Sequence, residues 1–223
     1  MDLRFGDGGL IPAIVQDRLT GQVRMLAYMT REALARTLET GRATFFSRSR
    51  GALWEKGETS GNGLEVTGVH ADCDADAVLI LADPLGPTCH TGRPSCFFRA
   101  VTDDATAAED GRDAAPVLEA LEREIEARRS AAPGTSYTRT LLDGGAPLLG
   151  AKLREEADEL ARAIAGEADD RVAAEAADVL YHLLVAIASR GVPLRRVLAA
   201  LAARMGTSGL AEKARRSRGP AGA

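Results

Sequence analysis

Only three cysteines and three histidines occur in this chain, and the shortage of cysteine is the first constraint. Three thiols cannot pair off, so a disulfide framework is excluded as the basis of the fold. Basic residues are also short: 28 Lys and Arg stand against 32 Asp and Glu, for a net charge of −4. No global positive field therefore argues for a nucleic-acid or membrane-surface partner, and neither is expected. No uninterrupted run of about 18 apolar residues is evident, so no membrane-spanning helix is expected. The start, Met1-Asp2-Leu3-Arg4-Phe5, carries charges and no apolar core of a signal peptide, which makes the cytoplasm the expected location. What is present is ordinary for a soluble protein: 45% hydrophobic and 27% charged residues in 223, enough for one large domain or two small ones.

The two halves differ in texture. Residues 1–102 are rich in Gly, Thr and short apolar runs, and Ile11–Val15, Ala43–Phe46, Val78–Leu81 and Cys96–Val101 read as strands. One helix is expected over Thr30–Thr40, with Thr30 as a plain N-cap lacking the acid of a capping box. Residues 103–115 have almost no large apolar side chain and many acids, a linker composition. From Pro116 the pattern is helical, with Val117, Leu118, Leu121 and Ile125 at helical spacing. Longer helices are expected at about 147–165, 170–190 and 194–205, and residues 212–223 read as a frayed basic tail. The sequence thus predicts an α+β domain over 1–102, the 103–115 linker and an all-α domain over 116–211. No internal repeat is present.

All three cysteines, His90 and the closely spaced Asp72, Asp74 and Asp76 fall within Asp72–Cys96. Thiolates suit zinc and carboxylates suit magnesium, so interleaving them points to two neighbouring ions of different kinds. Cys89-x6-Cys96 is too wide for a zinc knuckle, but adding Cys73 gives three ligands with a fourth position open, the arrangement of a catalytic zinc. Asp72, Asp74 and Asp76 alternate, so an extended segment would put them on one face and Cys73 on the other. An acidic turn plus three buried cysteines is the competing structural reading. Ser47-Arg48-Ser49-Arg50, followed by Trp54-Glu55-Lys56-Gly57-Glu58-Thr59-Ser60, offers guanidinium, ammonium and hydroxyl groups for phosphate and ribose. It equally describes a solvated hairpin, with Trp54 a packing residue.

In the second half, Lys152, Glu155, Glu156 and Glu159 share one expected helix, and Glu175 and Asp178 the next. Residues three or four apart share a face, so two acidic edges form whose repulsion calls for a cation. Two such helices packed together would surround Mg²⁺. A solvated acidic face balanced by Lys152 and Arg154 is the alternative.

The runs MLAYM (25–29), TLETG (37–41), SRSR (47–50), WEKGETSGN (54–62), DCDAD (72–76) and CHTGRPSCF (89–97) together resemble phosphoribosyl-AMP cyclohydrolase of histidine biosynthesis. The resemblance implies a zinc enzyme that also uses magnesium, and a homodimer whose zinc site is shared across the interface. Cys73, Cys89 and Cys96 would hold Zn²⁺, with Cys73 from the opposite subunit, and Asp72, Asp74 and Asp76 would hold Mg²⁺. It implies attack of a zinc-held hydroxide on C6 of the adenine ring and opening of the N1–C6 bond. His90 is the candidate for proton transfer, with Lys56 a second candidate catalytic group; the alternative for His90 is to orient a thiolate. Ser47, Arg48, Ser49, Arg50, Trp54, Lys56, Gly57, Glu58, Thr59 and Ser60 are the expected substrate contacts.

Ser136-Tyr137-Thr138, KLREEADE (152–159) and EAADVLYHLLV (175–185) resemble phosphoribosyl-ATP pyrophosphatase, an all-α nucleotide pyrophosphohydrolase. That implies Mg²⁺ on Glu156, Glu159, Glu175 and Asp178, Glu155 as a catalytic group nearby, Lys152 on the substrate phosphates, and water attacking the α–β phosphate linkage. His182, on the Asp178 face within apolar LYHLL, reads as a core or interface histidine. Arg154, where a small residue is expected, and the weakly basic Leu141–Pro147 segment depart from the family pattern. The expected protein therefore takes phosphoribosyl-ATP and phosphoribosyl-AMP in succession. A zinc deaminase-like enzyme with an attached house-cleaning pyrophosphatase, and a nucleotide-binding regulatory or scaffold protein, are the competing readings; the first lacks the H-x-E…P-C-x-x-C signature.

Overall fold

A computed structural model describes residues 1–109 and 114–205. The chain divides into two compact units, Met1–Val117 and Leu118–Ala223. The expected tail at 212–223 and residues 110–113 of the expected linker lie outside the described residues.

The first unit is built on a six-stranded sheet. In chain order come β1 (Ile11–Asp17), β2 (Val23–Met29), α1 (Arg31–Thr40), β3 (Thr44–Ser47), β4 (Ala52–Glu55), β5 (Leu64–Ala71) and β6 (Val78–Pro84). The spatial order is β4-β3-β2-β1-β6-β5, parallel only between β1 and β6. Strand β1 buries every second residue, Ile11, Ala13, Val15 and Asp17, the period of two that seats one strand face on a core. Ile11, Ala13 and Val15 meet Met29, Ala33, Phe45, Leu64, Val78 and Ile80. Helix α1 begins as predicted: Thr30 Oγ1 accepts from Ala33 N at 3.1 Å.

Three expectations change here. Cys96–Val101 is not a strand; only Ala100–Val101 (β7) pairs, with Ala107–Ala108 (β8) inside the segment read as linker. The rest of that run is a loop fastened to β2, where Cys96 N donates to Arg24 O at 2.8 Å and Ser95 Oγ to Val23 O at 2.8 Å. Strands β2, β4 and β5 were not expected, because Arg24, Glu55, Glu65 and His70 interrupt their apolar character. Finally, residues 72–77 are the turn of the β5–β6 hairpin, not an extended segment. Ala71 pairs with Val78, and Ala75 takes a left-handed φ of 62°.

The second unit is helical: α2 (Val117–Arg129), α3 (Tyr137–Asp143), α4 (Gly145–Ile164), α5 (Asp169–Ser189) and α6 (Leu194–Ala202). The short α3 was not expected. Ser136 caps it, accepting from Arg139 N at 3.1 Å. Helices α4 and α5 form an antiparallel hairpin across residues 165–168, and their buried seam is polar in part. Leu149, Glu156 and Ala163 recur every seventh residue on α4, and Glu175 and His182 do so on α5. Ile125, Leu141, Leu149, Leu184, Val185 and Leu194 make the apolar core beside them. By length and average composition α5 is apolar enough to cross a membrane, although charged residues interrupt its apolar run. Its placement of Glu175 and His182 against α4 instead makes it one side of a polar seam.

Candidate active sites in the two units

Backbone geometry comes first in the N-terminal unit. Cys89 N donates to Arg93 O and Gly92 N to Cys89 O, each at 3.0 Å, closing a tight loop. Gly92 turns it with φ 82°, a conformation that disfavours a side chain. The loop faces a second turn, in which Gly57 adopts φ 91° and a Cβ would lie 2.4 Å from Gly63 N. Between them is a cleft of about 470 Å³ lined in part by Trp54, Lys56, Ser60, Cys89, His90 and Cys96. Six residues singled out along the sequence thus converge, although 42 positions separate Trp54 from Cys96.

The two thiols of the cleft interact with each other and differ in environment. Burial pushes the Cys89 thiol up, but donors from Thr91, with Cys96 and the His90 backbone, outweigh it and leave the pKa lowered. Thr91 Oγ1 donates to Cys89 Sγ at 3.1 Å, and His90 Nδ1 lies 3.9 Å from the same sulfur. Cys96 is pushed up to about 11 by burial and by the neighbouring Cys89. Two thiols so placed suit a divalent cation, which removes the cost of ionising both.

Cys73 is elsewhere. It is exposed on the β5–β6 turn, and among the described residues it joins no group of three candidate ligands. On that turn the carboxylates of Asp72, Asp74 and Asp76 lie within 4.8 Å of one another. Asp72 accepts from Ala77 N at 3.1 Å and Asp76 N at 3.0 Å, and the Ala77 bond leads in lowering its pKa. Asp76 is raised, chiefly by the adjacent Asp74 charge, while Arg4 pairs with Asp74 at 2.9 Å. The turn gathers the three acids by folding back rather than by strand alternation.

Ser47, Arg48 and Arg50 line a neighbouring groove, for which Trp54 is the shared wall. Arg48 stacks over Tyr28, 4.2 Å from the ring centroid, and Ser49 Oγ is 3.3 Å from Ser47 Oγ. Trp54 also packs on Phe45. Glu58 accepts from Glu55 N at 3.1 Å and so closes its own turn, while Thr59 is exposed beside it. Sequence reasoning passed over Arg24. Its guanidinium is buried against Asp17, donates to Pro94 O at 3.1 Å, and anchors the cysteine loop to the sheet. An arginine in an apolar strand run, MLAYM preceded by VR, was the available signal.

In the C-terminal unit Glu156, Glu175 and Asp178 bring carboxylate oxygens within 4.8 Å of one another. Glu159 stands one helical turn away, outside that group, and pairs with Arg162 at 3.4 Å. Lys152 Nζ reaches Glu155 at 3.0 Å and Glu156 at 3.2 Å, and these bonds, Glu155 first, raise its pKa. Arg171 contacts Glu175 Oε1, while Glu175 Oε2 is buried without a partner. A buried carboxylate oxygen left unsatisfied is costly, and a hard cation among three carboxylates meets that need. His182 is buried, as read from the sequence. Its Nδ1 donates to Asp178 O at 2.9 Å, which leaves Nε2 to accept from Tyr137 OH at 3.2 Å. Tyr137 was quoted only as part of a motif; its contact with His182 spans 45 positions and had no local signature.

Two family models match, in the same order as the two units: Phosphoribosyl-AMP cyclohydrolase over residues 25–98 and Phosphoribosyl-ATP pyrophosphohydrolase over 118–205. The histidine biosynthesis bifunctional protein HisIE of Wolinella succinogenes is 44% identical over 209 residues, covering 92% of this chain and 91% of its own. Its Bacillus subtilis counterpart is 45% identical over 197 residues, covering 88% and 92%. This chain belongs to the HisIE family. The chloroplastic HisIE protein of Arabidopsis thaliana is 43% identical over 224 residues, covering 97% of this chain and 79% of its own. As a HisIE protein the chain is a bifunctional hydrolase of histidine biosynthesis, with the cyclohydrolase unit in front of the pyrophosphohydrolase unit.

Proposed function

We propose that the C-terminal unit cleaves phosphoribosyl-ATP to phosphoribosyl-AMP and pyrophosphate at the Glu156, Glu175 and Asp178 cluster, with Glu159 completing its outer edge. The N-terminal unit then opens the adenine ring of that product in the cleft between Trp54 and His90. The convergence of Cys89, Cys96, His90 and Lys56 on one cleft is the observation that carries the reading.

Cys89 and Cys96 supply two zinc ligands and Cys73 of a second copy the third. The exposure of Cys73, away from the other two thiols, supports a homodimeric site. Bound zinc supplies a nucleophilic water near neutral pH. His90 moves the proton, and Lys56, Ser60 and the Trp54 face hold the nucleotide, with Ser47, Arg48, Ser49 and Arg50 taking its phosphate ends. Gly57, Glu58 and Thr59 shape the turn that carries Lys56. Asp72, Asp74 and Asp76, on the turn that carries Cys73, hold magnesium. In the helical unit bound magnesium neutralises polyphosphate charge. Lys152 turns from its carboxylates toward the phosphates, and exposed Glu155 takes a proton from the attacking water. A compartment that keeps thiols reduced, as the cytoplasm does, preserves this ligand set.

The deciding experiment supplies phosphoribosyl-ATP to zinc- and magnesium-loaded protein and follows pyrophosphate and the ultraviolet change of ring opening together. Pyrophosphate first and ring opening second is expected. Ring opening without prior pyrophosphate release would overturn the order.

A further inference from the structure

We infer that Arg171 is a resident counter-ion of the carboxylate cluster, which a divalent cation must displace from Glu175, so that this arginine weakens and tunes cation affinity. The inference rests on the proposed cation site and adds a residue that no ligand motif contains. Arg171 lies one turn before Glu175 on α5, and its guanidinium contacts Glu175 Oε1 and, at 3.5 Å, Glu167. The two partners differ sharply in burial: the Glu175 side chain is 2% exposed and the Arg171 side chain 58%. A buried carboxylate cannot turn to water, whereas an exposed arginine leaves at small cost. Glu175 therefore keeps one oxygen on Arg171 and the other, Oε2, buried without a hydrogen-bond partner.

Glu156 and Asp178 stand within 4.8 Å of Glu175 in the same group. Three carboxylates this close repel, and the fold answers with one cation from each helix, Lys152 on Glu156 and Arg171 on Glu175. Lys152 is largely covered, at 23% exposure, and is shared between two acids of its own helix. Arg171 is the more easily exchanged of the two, and Glu167 offers it a second acceptor when it swings away. The arrangement supplies counter-charge while the cation is absent and yields it when the cation arrives.

The test is Mn²⁺ binding to the full chain, by calorimetry and by the rise in thermal midpoint, for wild type, Arg171→Gln, Arg171→Lys and Glu156→Gln. Arg171→Gln should bind Mn²⁺ roughly three- to tenfold more tightly, the scale of losing one partly exposed opposing charge. Without cation the same variant should melt lower, and its gain on adding Mn²⁺ should be larger. A helix-surface arginine with a merely structural role would lower the midpoint and leave the affinity alone. Arg171→Lys, which keeps the charge without the fork, should lie between the two. If Arg171→Gln does not fold, the lysine variant decides, and an affinity at or below wild type overturns the inference. Glu156→Gln separates the two levels: full Mn²⁺ affinity there sinks the cation site itself. Lost affinity there, with unchanged or weaker binding in Arg171→Gln, sinks only the role of Arg171.

Discussion

The sites of the two units solve opposite problems. In the N-terminal cleft the thiols sit on a loop, and their positions depend on turns such as Gly92 and on a fastening to β2 through Ser95 and Arg24. In the helical unit hard donors alone sit on two helices, so the backbone hydrogen bonds of α4 and α5 already fix their spacing. The loop-borne site gathers residues far apart in the chain but needs an anchor. The helix-borne site needs no anchor, and its difficulty is electrostatic, since Glu156 and Glu175 are buried in the seam. A loop site is therefore expected to fail through lost geometry and a helix site through lost charge balance.

The strongest way to break this comparison is to separate the activities. Cys96→Ser is expected to lower ring opening more than about 100-fold, beyond the usual effect of losing a partner that only supports a ligand. Pyrophosphate release should stay within twofold of wild type, on the order of experimental scatter for an independent unit. Loss of both signals in folded protein would refute independent units. Conversely, Glu156→Gln should cut pyrophosphate release by roughly 100-fold and spare the ring opening of added phosphoribosyl-AMP.

The anchor supplies the next test. Arg24→Leu removes the buried ion pair with Asp17 and should cost about 3 kcal/mol in the N-terminal unit, read from its denaturant midpoint. Zinc content at limiting metal should fall with it, because the Pro94 carbonyl loses the guanidinium that ties the cysteine loop to the sheet, leaving the backbone bond from Cys96 N to residue 24 to hold it alone. If stability drops and zinc does not, the fastening does not govern the thiols. The smallest effect is expected in the helical unit. Tyr137→Phe removes one hydrogen bond to His182 and should cost about 1 kcal/mol, with cation affinity little changed.

Much of the helical site was readable along the chain because helical spacing is fixed. Glu175 and Asp178 had to share a face, and the packing of α4 on α5 was the one further step needed to bring in Glu156. The same reasoning adds Glu159, which stands a turn away from the group of three, at its edge, and pairs with Arg162. In the N-terminal unit the three aspartates do come together, but through a turn and not through strand alternation. The chain turns at 72–77 with Ala75 left-handed, and Asp72 caps that turn. Local spacing could not reveal the turn, because DCDAD contains neither Gly nor Asn, the usual residues of left-handed backbone.

By itself the sequence determined the two-domain order, the Thr30 cap and the periodicity of the long helices, and it supplied the thiols and carboxylates from which the candidate sites are built. Each of these is a property of neighbouring residues or of donor chemistry. Only the tertiary structure decided that Cys89 and Cys96 meet while Cys73 stands apart, that Arg24 holds their loop, and that Arg171 shields Glu175. The convergence of the thiols and the anchoring by Arg24 depend on strand pairing and loop docking across distant parts of the chain. The counter-ion role depends on which carboxylates are buried, and burial is fixed only when the helices pack.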